Sequence, residues 1–247
     1  MDHQLKNKRA LVTGGSRGIG AAIVRRLARE GADVALTYVA KPDDANQTAA
    51  AAKALGVRAL AIQADGADAE AVVAAIERTA SELGGLDILV NNAGVAAMAP
   101  IDTFTLENFD RTFAVNVRAV FVATQAAVKH MKDGGRIINL GSCNAERMPF
   151  VGGAVYAMSK AALVGLVKGL ARDLGPRGIT INNVQPGPVA TEMNPPDGPF
   201  ADMLKKLMAL PRYSSPDEIA ALVAYLAGPE AGFVTGASLT IDGGFTA

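Results

Sequence analysis

A doubly wound α/β fold on a seven-stranded parallel sheet is what this sequence predicts, from three features. Short apolar runs recur along the chain, bounded by glycines. Ala-rich segments long enough for helices separate them, so each strand–helix–strand unit returns parallel to its start. The first run leads directly into a glycine-rich loop, TGGSRGIG at 13–20. Right-handed crossovers then put helices on both faces of the sheet. The 247 residues show no repeat and no low-complexity linker. They read as one Rossmann-type domain, 1–247, long enough to bury a large core.

RALVTG (9–14) is the first strand, and a helix over roughly 18–30 follows it. DVALTYV (33–39) and ALAIQAD (59–65) are the second and third strands. LDILVNNAG (86–94) is the fourth, followed by one long helix over about 105–131. GRIINLGS (135–142) is the fifth, with a helix over about 154–174. ITINNVQPG (179–187) is the sixth and SLTID (238–242) the last. Each run is short, apolar and closed by turn residues, as buried strands are. Residues 188–213 break the rhythm with several prolines around a short amphipathic patch. A long connection at a strand's carboxyl end reads as a substrate lid. The helix after it has strong boundaries. Ser215 caps it, Pro216 takes the first position and Glu218 completes a capping box, while Gly228 and Pro229 stop it.

Composition narrows the function. Acids and bases balance at 24 each, which leaves no basic footprint for nucleic acid. The N-terminal stretch lacks the apolar run of a signal peptide. No unbroken run approaches the ~18 apolar residues of a membrane span. One cysteine forms no intrachain disulfide, and two scattered histidines, His3 and His130, make a poor zinc site. The expectation is a cytoplasmic protein without metal, membrane or nucleic acid. Half the residues are apolar, and this excess points to surface buried between subunits. The terminal GGFTA and the helix KAALVGLVKGLA point the same way.

The glycine loop has the chemistry of a dinucleotide site. Gly14 permits the turn, Gly18 permits close approach of a pyrophosphate, and Gly20 permits close helix–strand packing. The helix N-terminus then offers free N–H groups to the phosphates. A tight strand–helix turn without a ligand uses the same residues. The second strand ends in Thr37, Tyr38, Val39 and Ala40, with no acid for a ribose 2′-hydroxyl. Asp43 and Asp44 come later, where acids suit the start of a helix. Arg17 in the loop and Lys41 beyond the strand suit a 2′-phosphate. The reading is NADP(H) rather than NAD.

Tyr156 and Lys160 lie four apart on one helix face. A free phenol, with a pKa near 10, is a poor acid–base catalyst at neutral pH. A nearby ammonium stabilises the phenolate. The pair suits proton transfer at a carbonyl or alcohol oxygen, although an amphipathic edge with a snorkelling lysine has the same spacing.

TGGSRGIG, NNAG at 91–94, Asn116 in FAVNVRAVF, Ser142, YAMSK and PGPVAT at 186–191 occur in this order. With these motifs the chain resembles the short-chain dehydrogenase/reductase family over essentially its whole length. Within the family it is similar to the 3-oxoacyl-acyl-carrier-protein reductase branch. The resemblance implies that Tyr156 is the general acid, that Lys160 lowers its pKa and holds the nicotinamide ribose, and that Ser142 bonds the substrate oxygen. It implies that Asn116 holds a water linking Lys160 to solvent. Asn92, Ala93 and Gly94 would admit the adenosine half of the cofactor, and Asp65 would accept from the adenine amino group. Gly66 stands where the family commonly has an apolar residue. Thr191 would hold the carboxamide. Ser16, Ile19, Tyr38, Pro186, Gly187 and Val189 would line the same cofactor, beside Gly14, Arg17, Gly18 and Gly20. A homotetramer is implied as well.

The family's serine usually stands thirteen residues before the tyrosine. That count from Tyr156 lands on Cys143, and Ser142 is fourteen back. Because Ser142 directly follows INLG, and the long loop NAERMPFVGG can absorb one residue, Ser142 is assigned the role. Cys143 is assigned to packing as a small hydrophobe. The function expected is NADPH-dependent reduction of a ketone or 3-oxoacyl group. GSCNAERMPF, RGITINNVQPGPV and GPEAGFVTGASLTIDGGF also resemble a cyclic-di-GMP-binding family member, so a ligand-sequestering protein is the second reading. An NAD-dependent alcohol dehydrogenase is the third. Met193, Pro195, Phe200 and Met203 suggest an apolar substrate pocket.

Overall fold

The computed structural model describes residues 3–247. Its strands are β1 (Arg9–Val12), β2 (Asp33–Tyr38), β3 (Ala59–Gln63), β4 (Ile88–Asn91), β5 (Arg136–Leu140), β6 (Thr180–Pro186) and β7 (Ser238–Ile241). They form one sheet in the order β3-β2-β1-β4-β5-β6-β7, and every pair is parallel. Chain direction across the sheet reverses between β1 and β4, which opens a crevice at their carboxyl ends.

Strand side chains alternate between two cores. Ala10, Val12, Val34, Leu36, Ile88 and Val90 face α1 (Gly18–Arg29), α2 (Pro42–Lys53) and α8 (Pro216–Ala227). Leu11, Ala35, Leu89 and Ile137 face α3 (Ala69–Leu83), α5 (Ala119–Ala127) and α6 (Ala154–Leu174). In the central strands β1, β2, β4 and β5 this period of two buries both faces, which is why these runs are mostly apolar. The remaining helices are α4 (Leu106–Phe113) and, in the lid, α7 (Ala201–Lys206). The capping box on α8 is present, with Ser215 Oγ accepting from Glu218 N and Glu218 Oε2 accepting from Ser215 N.

Three expectations change. The long helix over 105–131 is not continuous. A π-helical turn, Ala114–Arg118, separates α4 from α5, and the Ala119 amide bonds the Ala114 carbonyl five residues back. Periodicity reads through such a one-residue excess. Second, α6 and the turn after it, Ala154–Arg177, are long and apolar enough to meet the length-and-composition test for a membrane span, with mean hydropathy 1.3. Counting unbroken apolar runs overlooks this, because isolated charges interrupt the segment. Val155, Leu163, Val167 and Leu174 bury its inner face in the fold. Third, within the terminal GGFTA the aromatic ring turns inward while Gly243, Gly244, Thr246 and Ala247 stay at least partly exposed. Phe245 is 1% exposed and packs within its own chain against Cys143, Met208 and Tyr213.

Candidate active site

The crevice between β1 and β4 widens into a cleft of about 1140 Å³. The glycine loop and the end of β2 form one end. Ser142, Tyr156 and the lid form the other.

At the loop end, Gly14 and Gly18 take left-handed backbone, with φ of 63° and 53°. A Cβ on Gly20 would fall 2.2 Å from the Gly14 carbonyl oxygen and 2.6 Å from Asn92 Nδ2, so the packing there requires glycine. The loop is braced from outside. Asn92 Nδ2 donates to the Thr13 and Gly14 carbonyls, each at 2.9 Å. Thr13 Oγ1 accepts from the Asn92 and Ala93 amides at 3.0 Å. Thr37 Oγ1 accepts from the Gly14 amide at 3.0 Å. The Asn92 side chain is therefore committed to the loop's shape. Arg17, at the N-cap of α1, supplies no side-chain cap. The first amides of that helix are left for an anion. Ser16, Ile19, Tyr38 and Ala93 line the same wall.

Two cations flank this end, and one lid acid holds both. Arg17 Nη1 lies 2.7 Å from Glu192 Oε2, and Lys41 Nζ lies 3.7 Å from the same oxygen. Asp65, at the end of the third-strand segment, is also engaged. It accepts from the Ala67 amide at 2.9 Å and from both Arg111 terminal nitrogens at 3.0 and 3.2 Å. Those bonds hold its carboxyl below the usual carboxylate range, against the effect of partial burial.

The other end is buried and built on α6. Lys160 is 5% exposed and donates to the Leu140 carbonyl at 2.8 Å. Burial lowers its pKa to about 8. Its ammonium stands 5.9 Å from the centre of the Tyr156 ring. The Tyr156 phenol lies above its ordinary pKa. Burial is the main cause, a hydrogen bond with Ser142 pulls the other way, and Cys143 adds to the rise. Desolvation of the phenolate outweighs the Ser142 hydrogen bond here.

Ser159, which the sequence reading passed over, joins the group. Its Oγ donates to the Tyr156 carbonyl at 2.7 Å and accepts from Asn116 Nδ2 at 3.0 Å. Asn116, on the π turn, also donates to the Val95 carbonyl and accepts from the Val95 amide, both at 2.9 Å. A Cβ on Gly94 would lie 3.4 Å from Lys160 Nζ and 3.5 Å from Asn116 Oδ1. Gly94 thus belongs to the wall beside α6. The local signal for Ser159 is the i, i+3 step from Tyr156 inside YAMSK, which places both on one face.

Ser142 N-caps a 3-10 turn, Cys143–Ala145, accepting from the Asn144 amide at 3.1 Å. Cys143 opens that turn and buries its thiol in the cluster beneath the lid. Burial, reinforced by Asp242, pushes the thiol up to about 12. Thr191 stands at the root of the lid, where its hydroxyl accepts from the Asn194 amide at 3.3 Å. Pro186, Gly187 and Val189 continue β6 along the cleft. Met193, Phe200 and Met203 are exposed at its mouth, opposite Met98 and Val151. Among the described residues, no cluster of His, Cys, Asp and Glu suits a metal ion.

Comparison with known proteins agrees with this geometry. A family model described as enoyl-(acyl carrier protein) reductase matches residues 14–246. The cyclic-di-GMP-binding biofilm dispersal mediator protein of Escherichia coli is 49% identical over 97% of this chain and 98% of its own length. A short-chain dehydrogenase/reductase from Serratia marcescens is 63% identical. It superposes with a TM-score of 0.98 over 99% of this chain and 100% of that one. A short-chain dehydrogenase from Burkholderia cenocepacia, solved in complex with NADP, is 56% identical, with the same TM-score and coverage.

Proposed function

The chain belongs to the short-chain dehydrogenase/reductase family, and from that premise we propose that it is an NADPH-dependent carbonyl reductase. One observation carries the reading: the Tyr156 phenol, the Ser142 hydroxyl and the Lys160 ammonium gather at the end of a cleft that begins at a glycine loop. The loop end fits the cofactor. Gly14 and Gly18 leave the backbone open, the start of α1 offers amides, Arg17 and Lys41 suit a 2′-phosphate, and β2 ends without an acid. Gly14, Ser16, Arg17, Gly18, Ile19, Gly20, Tyr38, Ala93 and the PGPVAT segment would hold it, with Thr191 at the carboxamide. When bound, NADPH would supply the hydride.

The chain's own residues handle the oxygen. Ser142 Oγ and the Tyr156 hydroxyl donate hydrogen bonds to the carbonyl oxygen as negative charge grows there. Tyr156 then transfers its phenolic proton to that oxygen. Burial works against release of this proton, while the Ser142 hydrogen bond and the Lys160 charge 5.9 Å from the ring favour it. Lys160 holds positive charge beside the phenolate that remains. Asn116 Oδ1 and Lys160 Nζ face one small space beside Gly94. That placement supports a water there, returning the proton from solvent. Segment 188–213 serves as the substrate lid, and its Met and Phe side chains favour an apolar ketone or 3-oxoacyl group.

The test is a panel of carbonyl substrates with purified protein, comparing kcat/KM for NADPH and NADH. Reduction with NADPH preferred is the expected result. Equal rates, or a preference for NADH, would count against it. The Escherichia coli relative supports a second reading, binding of cyclic-di-GMP in the same cleft. Calorimetric titration with and without NADPH separates the two. Tight binding together with no turnover on a broad panel would favour sequestration. A homotetramer is also part of the reading. Gly165 and Gly169 leave the outer face of α6 open, and Phe121 and Phe233 are exposed. Light scattering should find a particle of four chains.

A further inference from the structure

The acid between the two cations is not explained by the chemistry above. Glu192 follows Thr191 at the root of the lid. Its carboxylate meets Arg17 from the loop before α1 and Lys41 from the N-cap of α2. Those contacts span 175 residues in one case and 151 in the other, so they join three separate parts of the cleft. Lys41 also has unusual backbone. With φ of 61° it is one of two non-glycine residues in the left-handed region among the described residues. Such a conformation is disfavoured for a side-chain-bearing residue and persists where surroundings impose it. The Lys41 ammonium lies between Glu192 at 3.7 Å and Asp44 at 3.9 Å. Thr191 completes the junction, its Cγ2 lying 3.4 Å from where a Cβ on Gly18 would stand.

We propose that Glu192 is a latch that competes with a 2′-phosphate for Arg17 and Lys41, and so ties the root of the lid to the nature of the cofactor. The inference rests on the reading that these cations meet such a phosphate. A carboxylate and a phosphate cannot share two cations without like-charge repulsion, so one weakens the other. By linkage, a ligand carrying the phosphate loosens the lid root, and one lacking it leaves the latch closed. The side chains of Arg17 and Glu192 are 55% and 61% exposed, so the effect is modest. Ion pairs of this kind shift binding by about two- to fivefold.

The probes are 2′,5′-ADP and 5′-AMP, which differ by the 2′-phosphate. Their affinities are measured by calorimetry for the wild type and for Glu192→Gln, a surface substitution that leaves the core untouched. Hydrogen exchange across residues 191–206 is followed in parallel. The latch predicts that Glu192→Gln binds 2′,5′-ADP about two- to fivefold more tightly, with 5′-AMP unchanged. It also predicts that 2′,5′-ADP speeds exchange at the lid root of the wild type and has no such effect in the variant. Raising salt should shrink the gain. If the wild type prefers 2′,5′-ADP but Glu192→Gln binds it equally or more weakly, the latch is overturned while the cofactor reading stands. If the wild type binds both probes alike, the cofactor reading fails and the latch falls with it.

Discussion

At the α6 end of the cleft the polar heads are bound inside the chain, whereas at the loop end charged groups meet one another near the surface. Lys160 bonds a strand carbonyl and Asn116 bonds Ser159, both in buried positions, and Asn116 also bonds the partly buried Val95. Arg17, Lys41 and Glu192 meet as half-exposed side chains. In the buried end, low dielectric strengthens each bond and fixes geometry before any substrate arrives. In the exposed end, solvent screening keeps each pair weak and replaceable. Proton transfer needs the first kind of construction, and exchange of a charged ligand needs the second.

The largest expected effect strikes the buried end. Tyr156→Phe should lower kcat for carbonyl reduction at least ~100-fold while NADPH binding, followed by fluorescence titration, stays within a few-fold. A variant retaining most of its turnover would break the contrast. Ser142→Ala should cost ~2–4 kcal/mol of transition-state stabilisation, as loss of an oxyanion donor does. Cys143→Ala should cost far less, since its thiol stays protonated and packs beneath the lid. If kcat/KM ranks these two the other way, Cys143 is the donor.

Next in size is a pH effect. Lys160 loses its proton near pH 8. Reduction should therefore hold level below that pH and fall above it, by up to ~10-fold per unit. The same burial depresses a pKa that is 10.5 in the unfolded chain, so it costs stability below about pH 8, a cost that lifts as pH climbs toward 10.5. The melting-temperature gap between Lys160→Met and wild type should shift in favour of wild type over that window. A flat difference would show that Lys160 titrates normally. The smallest effect belongs to the lid. Met193→Ala with Phe200→Ala should raise KM for bulky ketones a few-fold and leave NADPH affinity alone, because both side chains are largely exposed at the cleft mouth. Equal losses for both ligands would place this segment on the cofactor.

Local signals in the sequence reach some of this and stop at identifiable places. Glycine-bounded apolar runs located all seven strands, most clearly the central β1, β4 and β5, whose burial on both faces leaves no polar side to blur them. Ser215 and Glu218 marked their helix because a capping box is complete within four residues. Tyr156 and Lys160 were visible through helical spacing. The Asn92 brace was not, since its partners Thr13 and Gly14 lie about 80 residues upstream. Glu192 reads in isolation as a solvated acid, and only folding brings Arg17 and Lys41 to it. Phe245 suggested a subunit contact because nothing local shows that Arg147 Nη1 holds its carbonyl at 2.6 Å inside the chain. The register at Ser142 turned on one residue, and no local signal marks Ser142 as the cap of the 3-10 turn that Cys143 opens.

The π turn at 114–118 has a genetic consequence. An α-helix advances about 100° per residue, so the one surplus residue there puts α4 and α5 out of phase with each other. Removing a residue within α5 would rotate Ala123, Ala126 and Ala127 out of the core. Removing Val117 would instead let the two helices run on as one, while swinging position 116 away from Val95 and Ser159. Such a deletion variant should melt within a few degrees of the wild type yet have little activity. At this site a lost codon spares the fold and strikes the activity, and the record of that loss would be a gap in an alignment rather than a mismatch.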